Sequence, residues 1–310
     1  MLVTGAGGFV GKWLVQELAA RGAMVHALLR APTSNQNDST PAFGPKVHLV
    51  HDSVTDLPSL SQLVAGAKIE VIFHLAASNV NKGSEISPYD VYESNTRGVY
   101  TVLEAARRAP QAVRAIVASS KEVEDCFAAD NPRKFHPYMT SKASAELITR
   151  AYADTYGLAA AVLRSQNIYG GGDFNPVRLI PNTIQAVLRG ETPVIRGDGK
   201  TCRDYLYVED AVAAFLALGS RLDDPALHGK LFRIATGAST SVLDVVKEIM
   251  RAAKLQDTNP RVLGEKCDSR VDVPYDPKFE RATLGWRAQF TLAEGLQKTW
   301  SWYRDHAAKS

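Results

Sequence analysis

A short apolar run leads directly into four glycines in the stretch Leu2-Val3-Thr4-Gly5-Ala6-Gly7-Gly8-Phe9-Val10-Gly11. Beyond it, Leu14 and Leu18 continue from Val10 at the spacing of one helix face. A strand, a tight glycine turn and a helix N-terminus together form a cradle for a pyrophosphate, because glycine permits close backbone approach and the first helical amides donate to the anion. The stretch predicts a dinucleotide-binding βα unit, and a plain glycine-rich turn is the alternative.

Further apolar runs alternate with amphipathic stretches through the first half of the chain. The strand candidates are Val25–Leu29, Val47–Val50, Val71–Leu75, Val113–Ser119 and Ala159–Leu163. Helical spacing is present in Tyr92–Arg108 and Ser141–Tyr156. Buried strands that alternate with helices predict an α/β fold, a Rossmann-type doubly wound parallel sheet with helices on both faces.

The pattern changes after about residue 165, where Gly170-Gly171-Gly172-Asp173 opens an irregular region. The later candidates are short strands at Val194–Asp198 and Tyr205–Val208 and helices at Val208–Leu218 and Ser241–Ala253. We predict a smaller C-terminal substrate domain that interleaves with the first. The predicted ranges are 1–165 with 203–219 for the dinucleotide-binding domain, and 166–202 with 220–310 for the substrate domain.

Composition narrows the function classes. The 310 residues include 36 Lys and Arg against 33 Asp and Glu, a net charge of +3, which argues against nucleic acid or an anionic membrane as a partner. No run approaches the roughly 18 consecutive apolar residues of a membrane span. Three widely spaced cysteines, Cys126, Cys202 and Cys267, form no metal-binding pattern and predict reduced thiols in a cytoplasmic protein without a metal.

Two positions are candidate contacts to the adenosine end of the dinucleotide. Arg30 follows the second strand candidate, where a carboxylate would bind the adenosine ribose of NAD, so a 2′-phosphate and hence NADP is an alternative. A plain surface arginine is the other interpretation of Arg30. Asp52, followed by Ser53, comes after the third strand candidate and is a candidate contact to the adenine amino group, or a simple turn residue.

A tyrosine and a lysine lie four residues apart in Tyr138-Met139-Thr140-Ser141-Lys142. On a helix this spacing places both on one face, and a neighbouring cation lowers the pKa of a phenol from its usual value of about 10. The tyrosinate could then take the proton of a sugar hydroxyl while the hydride goes to nicotinamide. We therefore predict Tyr138 as a catalytic base and Lys142 as the residue that tunes it.

Polar residues at two strand ends complete the predicted site. Ser120 ends the fifth strand candidate and would hydrogen-bond the reacting oxygen, unless it only caps a turn. Asn95, on the helix after the fourth strand, would bind backbone and hold water. The predicted cofactor contacts also include three residues just after the fourth strand, Leu75, Ala76 and Ala77.

These residues together resemble the extended short-chain dehydrogenase/reductases that process nucleotide sugars, over essentially the whole chain. Gln166–Asn175, Pro193–Gly199 and Arg203–Asp210 are most similar to CDP-glucose 4,6-dehydratases. The resemblance implies a bound NAD, a nucleotide-diphosphate sugar and a homodimer formed through Tyr92–Arg108 and Ser141–Tyr156. It also implies substrate contacts at five residues: Ser84, Ser119, Asn167, Arg203 and Arg270.

The sequence departs from the dehydratase pattern next to Ser120. Where those enzymes carry Asp followed by Glu or Lys, this chain has Lys121 and Glu122. An ammonium in a dry pocket loses its proton readily, so Lys121 is a candidate acid and Glu122 a candidate base for dehydration. An exposed ion pair is the plainer interpretation. Epimerisation, decarboxylation of a sugar acid and NADPH-dependent carbonyl reduction stay as alternatives.

Overall fold

The computed structural model describes residues 1–30, 43–79, 86–127, 135–255, 257–266 and 274–307. The strands are β1 Leu2–Thr4, β2 Val25–Leu29, β3 Val47–His51, β4 Val71–His74, β5 Arg114–Ser120, β6 Ala160–Ser165, β7 Asn167–Tyr169, β8 Val194–Ile195, β9 Cys202–Arg203, β10 Tyr205–Tyr207, β11 Leu231–Ile234, β12 Thr240–Ser241 and β13 Arg261–Val262.

The α-helices are α1 Phe9–Ala20, α2 Leu57–Gly66, α3 Pro88–Tyr92, α4 Gly98–Arg108, α5 Glu124–Phe127, α6 Pro137–Tyr156, α7 Leu179–Leu188, α8 Val208–Arg221, α9 Val242–Ala252, α10 Lys278–Leu284 and α11 Leu292–Ala307. A π-helical turn spans Glu93–Arg97, and 3-10 turns span Lys121–Val123 and Pro225–Leu227. In the parts of the chain described here, no helix combines the length and apolar character needed to cross a membrane.

The chain divides into two compact units. The first contains 1–165 and 212–233, and the second contains 166–211 and 234–310. The segment that returns to the first unit is therefore 212–233, whereas the sequence analysis placed this return at 203–219. The assignment of dinucleotide and substrate binding to separate domains stays a prediction.

A seven-stranded sheet forms the centre of the first unit, in the order β11-β6-β5-β4-β1-β2-β3. Val3 of β1 lies opposite Ala27 of β2 on one side and Phe73 of β4 on the other, and both pairings are parallel. The pairs β2–β3, β4–β5 and β5–β6 are parallel as well. The strand order reverses between β1 and β4, the point at which doubly wound sheets bind ligands beyond their carboxyl ends. The predicted Rossmann-type fold is confirmed.

Burial explains why the strands of this sheet read as continuous apolar runs. All residues of β1 and β4 are buried, because helices cover both faces of a parallel sheet. One cluster joins Leu2, Ile72 and Val117 of the strands to Val102 and Leu103 of α4. The edge strand β3 has no fully buried residue.

Two helices differ from the sequence prediction close to the site. The helix predicted at Tyr92–Arg108 is divided into the end of α3, the π-helical turn and α4, and the turn places Asn95 in the interior. Single π-helical turns of this kind are common at functional sites. The helix predicted from Ser141 begins at Pro137 instead, because proline suits the first helical position and His136 caps the helix. Tyr138 therefore lies in the first turn of α6.

The second unit contains three small two-stranded pairings, β7–β10, β9–β12 and β8–β13. Its strand at Val194–Ile195 is shorter than the predicted Val194–Asp198. A separate apolar cluster contains Ile195 of β8 and the α9 residues Val246 and Met250. This unit therefore has an apolar cluster of its own, as compact domains do.

Candidate functional site

The glycine turn after β1 leaves no room for a side chain at Gly5 or Gly11. Gly5 has φ +70°, and a Cβ on it would lie 2.6 Å from the Ala76 amide nitrogen. A Cβ on Gly11 would overlap the Gly5 carbonyl oxygen, so helix α1 can pack against the turn only with glycine there. Gly8 is the N-cap residue of α1 and offers no side chain to cap its first amides, while Phe9 and Val10 form the first helical positions. The predicted pyrophosphate cradle fits these residues.

Hydrogen bonds hold the carboxyl ends of β1 and β4 together beside this turn. The Thr4 hydroxyl lies 2.8 Å from His74 Nδ1 and accepts from the Ala76 amide at 3.3 Å. The Leu75 amide donates to the Thr4 carbonyl at 3.2 Å. Burial, aided by the charge of Lys142, lowers the pKa of His74 to about 3, so this imidazole is neutral. The residues predicted to contact the cofactor, Leu75 to Ala77, therefore adjoin Gly5.

Asn95 connects the end of β4 to the first turn of α6. Its Nδ2 donates to the Ser78 carbonyl at 2.8 Å and to the Ser141 hydroxyl at 2.9 Å, while its Oδ1 accepts from the Ser78 amide at 2.7 Å. The Ser141 hydroxyl in turn donates to the Tyr138 carbonyl. The backbone contacts expected of Asn95 are present, and they fix the turn that carries Tyr138.

The two residues considered for the adenosine end of the cofactor have defined partners. Arg30, just after β2, donates from Nη2 to the Ser78 hydroxyl at 3.2 Å, so its guanidinium reaches toward the end of β4. The Asp52 carboxylate accepts from the Ser53 amide at 2.6 Å and from the Ser59 hydroxyl of α2. These bonds fix the orientation of both side chains, and their cofactor contacts stay predictions.

Tyr138 and Lys142 lie one helical turn apart on α6, as predicted. Lys142 is buried, and its Nζ donates to the carbonyl oxygen of Ala118 at 2.9 Å. Burial lowers the pKa of Lys142 to about 8, and the nearby Glu146 carboxylate partly opposes this change. The ammonium is therefore fixed between α6 and the end of β5, while Tyr138 is only half-buried.

The two serines that end β5 have different partners, because successive strand residues point to opposite faces of the sheet. Ser120 is half-buried, and its hydroxyl accepts from the Glu122 amide at 3.4 Å at the start of the 3-10 turn. Ser119 is buried and donates to Glu146 at 2.5 Å. The substrate contact of Ser119 stays a prediction. The hydroxyl proton of Ser119 is directed to Glu146.

Glu146 belongs to a buried ion pair that the sequence analysis did not identify. Arg164 of β6 donates to both carboxylate oxygens of Glu146, at 2.9 and 2.6 Å. The same guanidinium lies 3.5 Å from Glu124, which is also 3.3 Å from Arg233. The only sequence signal was a charged residue four positions after Lys142 on the same helix, because a partner on another strand leaves no local pattern.

A second residue that the sequence analysis did not identify, His136, contacts Glu122, the candidate base for dehydration. Its Nε2 lies 3.1 Å from Glu122 Oε2, and its Nδ1 accepts from the Met139 amide at 3.4 Å. The available signal was a polar residue directly before Pro137 at a helix start, which is a capping position. Lys121 is half-buried in the same 3-10 turn as Glu122.

In the second unit, the buried Asp204 adjoins two of the predicted substrate contacts, Asn167 and Arg203. Asp204 accepts from the Thr236 amide and hydroxyl and from the Gly237 amide. Its carbonyl accepts from Asn167 Nδ2 at 2.9 Å, and Arg203 precedes it directly. Asn167 is therefore bonded to the anchored Asp204, and Arg203 is its neighbour in the chain. The predicted contacts Ser84 and Arg270 lie outside the described residues.

Comparisons with known proteins cover nearly the whole chain. The model of the NAD dependent epimerase/dehydratase family matches residues 1–235. A UDP-glucose 4-epimerase of Mycolicibacterium smegmatis is 33% identical, with 98% of each chain covered. A dTDP-glucose 4,6-dehydratase of the same organism is 31% identical, over 98% of this chain and 93% of the relative. The chain spans about half, 46%, of a trifunctional UDP-glucose 4,6-dehydratase, epimerase and reductase of Arabidopsis thaliana that is 30% identical.

Solved structures of a nucleotide-sugar epimerase and a dehydratase are also similar to this chain. The UDP-glucose 4-epimerase of Thermotoga maritima, crystallised with UDP-glucose, superimposes with a TM-score of 0.82 at 27% identity and 99% coverage of both chains. The dTDP-glucose 4,6-dehydratase DesIV of Streptomyces venezuelae, with NAD bound, gives 0.81 at 26% identity, over 99% of this chain and 98% of that one. With the glycine cradle and the Tyr138–Lys142 pair already in place, this chain belongs to the NAD-dependent epimerase/dehydratase family.

Proposed function

We propose that this protein dehydrates a nucleotide sugar through a 4-keto intermediate, as a 4,6-dehydratase does. The observation that carries the proposal is the sequence of Ser120, Lys121 and Glu122 at the end of β5, in the same unit as Tyr138 and Lys142. Dehydration needs an acid and a base beside the hydroxyl that binds the sugar. A 4-epimerase needs neither.

The side chains divide the proton transfers among them. Ser120 binds the 4-oxygen, and Tyr138 takes the proton of the 4-hydroxyl, with Lys142 stabilising the phenolate. Bound NAD supplies the hydride acceptor and later returns the hydride. The 4-ketone acidifies the neighbouring C5–H bond, so the Glu122 carboxylate can take that proton. Lys121 gives a proton to the departing 6-hydroxyl, which leaves as water.

The second unit and the relatives both support the proposed substrate class. Asn167 and Arg203 present an amide and a guanidinium beside one anchored aspartate, and both groups bind phosphate oxygens. The relatives described above are named for UDP-glucose and dTDP-glucose. We therefore propose a nucleotide-diphosphate sugar as the substrate of this chain.

Nucleotide-sugar 4-epimerisation is the second candidate. The epimerase of M. smegmatis is matched over 98% of its length at 33% identity, slightly more than the 93% and 31% of the dehydratase, which supports this alternative. It would use the same Tyr138, Lys142 and Ser120 to form the ketone. Hydride would then return to the opposite face, and Lys121 and Glu122 would have no chemical role.

One experiment separates the two candidates. The purified protein is incubated with CDP-, UDP-, dTDP- and GDP-sugars and NAD in deuterated water, and products are analysed by mass spectrometry and proton NMR. Dehydration is expected to give a product lighter by one water that carries deuterium at C5. An unchanged skeleton with inverted stereochemistry would establish the epimerase instead, and no change with any sugar would contradict both.

We also propose that the protein is a homodimer formed through α4 and α6. Three large side chains of these helices, Tyr100, Leu147 and Tyr156, are 42%, 58% and 59% exposed. Exposed apolar side chains on both helices support the proposal, because packing against a second copy would cover them. Sedimentation equilibrium is expected to give twice the chain mass, and Leu147→Glu to give the monomer. A monomeric wild-type protein would contradict the proposal.

The cytoplasmic location inferred from the sequence is kept as part of this proposal. Among the described residues, Cys126 and Cys202 are free thiols, which agrees with a reducing compartment. Fractionation of cells that express the full natural protein tests the location directly.

A further inference from the structure

One hydrogen-bonding side chain connects the two segments that carry the catalytic groups. Glu122 lies two residues after Ser120, and His136 lies two residues before Tyr138. The 3.1 Å approach of His136 Nε2 to Glu122 Oε2 joins the 3-10 turn to the start of α6. We propose that His136 is a positioning residue that aims the Glu122 carboxylate at the C5 proton of the sugar. The inference rests on the proposed dehydration.

The partners of the imidazole determine where its proton lies. Nδ1 accepts from the Met139 amide, which requires a lone pair on that nitrogen. In the neutral ring the proton is therefore on Nε2, where it points at Glu122. Both ring nitrogens are satisfied at once, and the helix cap fixes the ring in the orientation that the carboxylate needs.

The surroundings fit a carboxylate that must be held in place. The side chains of His136 and Glu122 are 45% and 35% exposed, so the pair borders solvent rather than the core. A free glutamate at such a position would sample many rotamers, and a fixed donor reduces that freedom. Among the described residues, the titratable groups near the pair include Lys121 in the same turn and Tyr138, whose ring lies parallel to the imidazole at 6.4 Å.

The proton transfer that this positioning serves is balanced within the site. The C5–H bond breaks, its proton goes to Glu122, and its electron pair forms the C5–C6 double bond as the C6–O bond breaks. The oxygen departs as water with a proton from Lys121. His136 gains and loses no proton, because it only donates a hydrogen bond to the carboxylate before and during the transfer.

Two substitutions at position 136 separate this role from that of a helix cap. His136→Asn keeps a good capping residue but removes the donor to Glu122. His136→Gln carries an amide nitrogen at about the position of Nε2, so it keeps the donor without a titratable group. We expect His136→Asn to slow C5 deuterium exchange and water loss about tenfold, with KM little changed, and His136→Gln to restore most of the rate.

The contact itself has a readout that needs no turnover. In ¹⁵N NMR spectra of the imidazole nitrogens, the Nε2 signal of His136 is expected to be that of a nitrogen whose proton faces Glu122. Glu122→Ala is expected to shift that nitrogen signal and to leave the signals of His228 unchanged. His228 is a suitable control, because its Nε2 lies 3.2 Å from the Leu222 carbonyl.

The outcomes distinguish the inference from the function on which it rests. If no nucleotide sugar reduces the bound cofactor, as followed by absorbance, the proposed function fails. If the cofactor is reduced equally in all variants but His136→Asn loses water at the wild-type rate, the function stands and the positioning role is wrong. Equal slowing of water loss in His136→Asn and His136→Gln would also overturn the positioning role. The donor that Gln keeps would then make no difference to the rate.

Discussion

The buried ammonium of Lys142 donates to the carbonyl oxygen of Ala118 at 2.9 Å. Because burial holds the pKa of Lys142 near 8, the lysine is still charged at pH 7 and its burial then costs stability. The site therefore keeps a cation next to Tyr138, and the buried charge lowers the free energy of unfolding.

Lys142→Met is expected to stabilise the fold at pH 7 by about 1–4 kcal/mol while it abolishes turnover. The unfolded lysine binds a proton up to about pH 10.5, whereas the folded lysine loses it from about pH 8, so wild-type stability rises with pH in that window. Urea titrations of both proteins from pH 7 to 10.5 should show the advantage of the variant shrinking. A constant difference would contradict the lowered pKa.

Tyr138→Phe is expected to abolish turnover and to leave binding of NAD unchanged. The ring remains in the first turn of α6, and only the group that takes the hydroxyl proton is lost. Calorimetric titration with NAD and a product assay measure the two effects. Tyr89→Phe, at a side chain that is 70% exposed, serves as the control. A fully active Tyr138→Phe variant would refute the assignment of the base.

Glu122→Gln is expected to stop the loss of water while transient reduction of the cofactor continues. The amide keeps the size of the side chain and its contact with His136, but it cannot accept the C5 proton. Rapid-mixing absorbance follows cofactor reduction, and mass spectrometry follows the product. Glu17→Gln, an exposed helix residue, is the control. Unchanged product formation would show that the Lys121–Glu122 pair has no catalytic role.

Arg30→Ala is expected to weaken NADP binding selectively. The guanidinium lies at the end of β2, where a 2′-phosphate would be bound, and NAD has no phosphate at that position. Dissociation constants for both dinucleotides, measured by calorimetry, should change by about tenfold or more for NADP and little for NAD. Arg21→Ala, at the exposed end of α1, is the control. Equal weakening of both dinucleotides would exclude the phosphate role.

Gly11→Ala is expected to eliminate dinucleotide binding, because the added methyl group would overlap the Gly5 carbonyl and force α1 away from the turn. Gly66→Ala at the end of α2 meets no atom within 4 Å and is the matched control, with stability equal or higher by about 0.5–1 kcal/mol. Fluorescence titration with NADH measures binding, and circular dichroism confirms folding. Wild-type affinity in Gly11→Ala would show that the turn tolerates a shift.

The parts of the fold that local patterns control could be predicted from the sequence. Buried parallel strands are continuous apolar runs, so Val25–Leu29 was placed with both ends correct. The glycine spacing identified the turn before α1, and the spacing of Tyr138 and Lys142 identified their shared helix. These features depend on neighbours within a few residues.

The features that could not be predicted depend on distant partners. The pairing of Glu146 with Arg164 joins a helix to a strand, and neither residue indicates the other in the sequence. The contact of Glu122 with His136 requires knowing where α6 begins. The π-helical turn around Asn95 has no characteristic amino-acid composition by which it could be predicted. Its wider turn is stabilised by the bonds that Asn95 makes to Ser78 and Ser141, which are distant in the sequence.

The position of β11 in the sheet affects how the chain can be synthesised and shortened. β11 borders β6, yet about 65 residues separate the two strands in the chain. As the polypeptide leaves the ribosome, the backbone groups on one edge of β6 therefore stay unpaired until residues 231–234 emerge. A fragment that stops at Ser165 would expose that edge permanently, and open apolar edges recruit other strands. Expression of the first 165 residues alone should yield aggregates rather than a free nucleotide-binding domain.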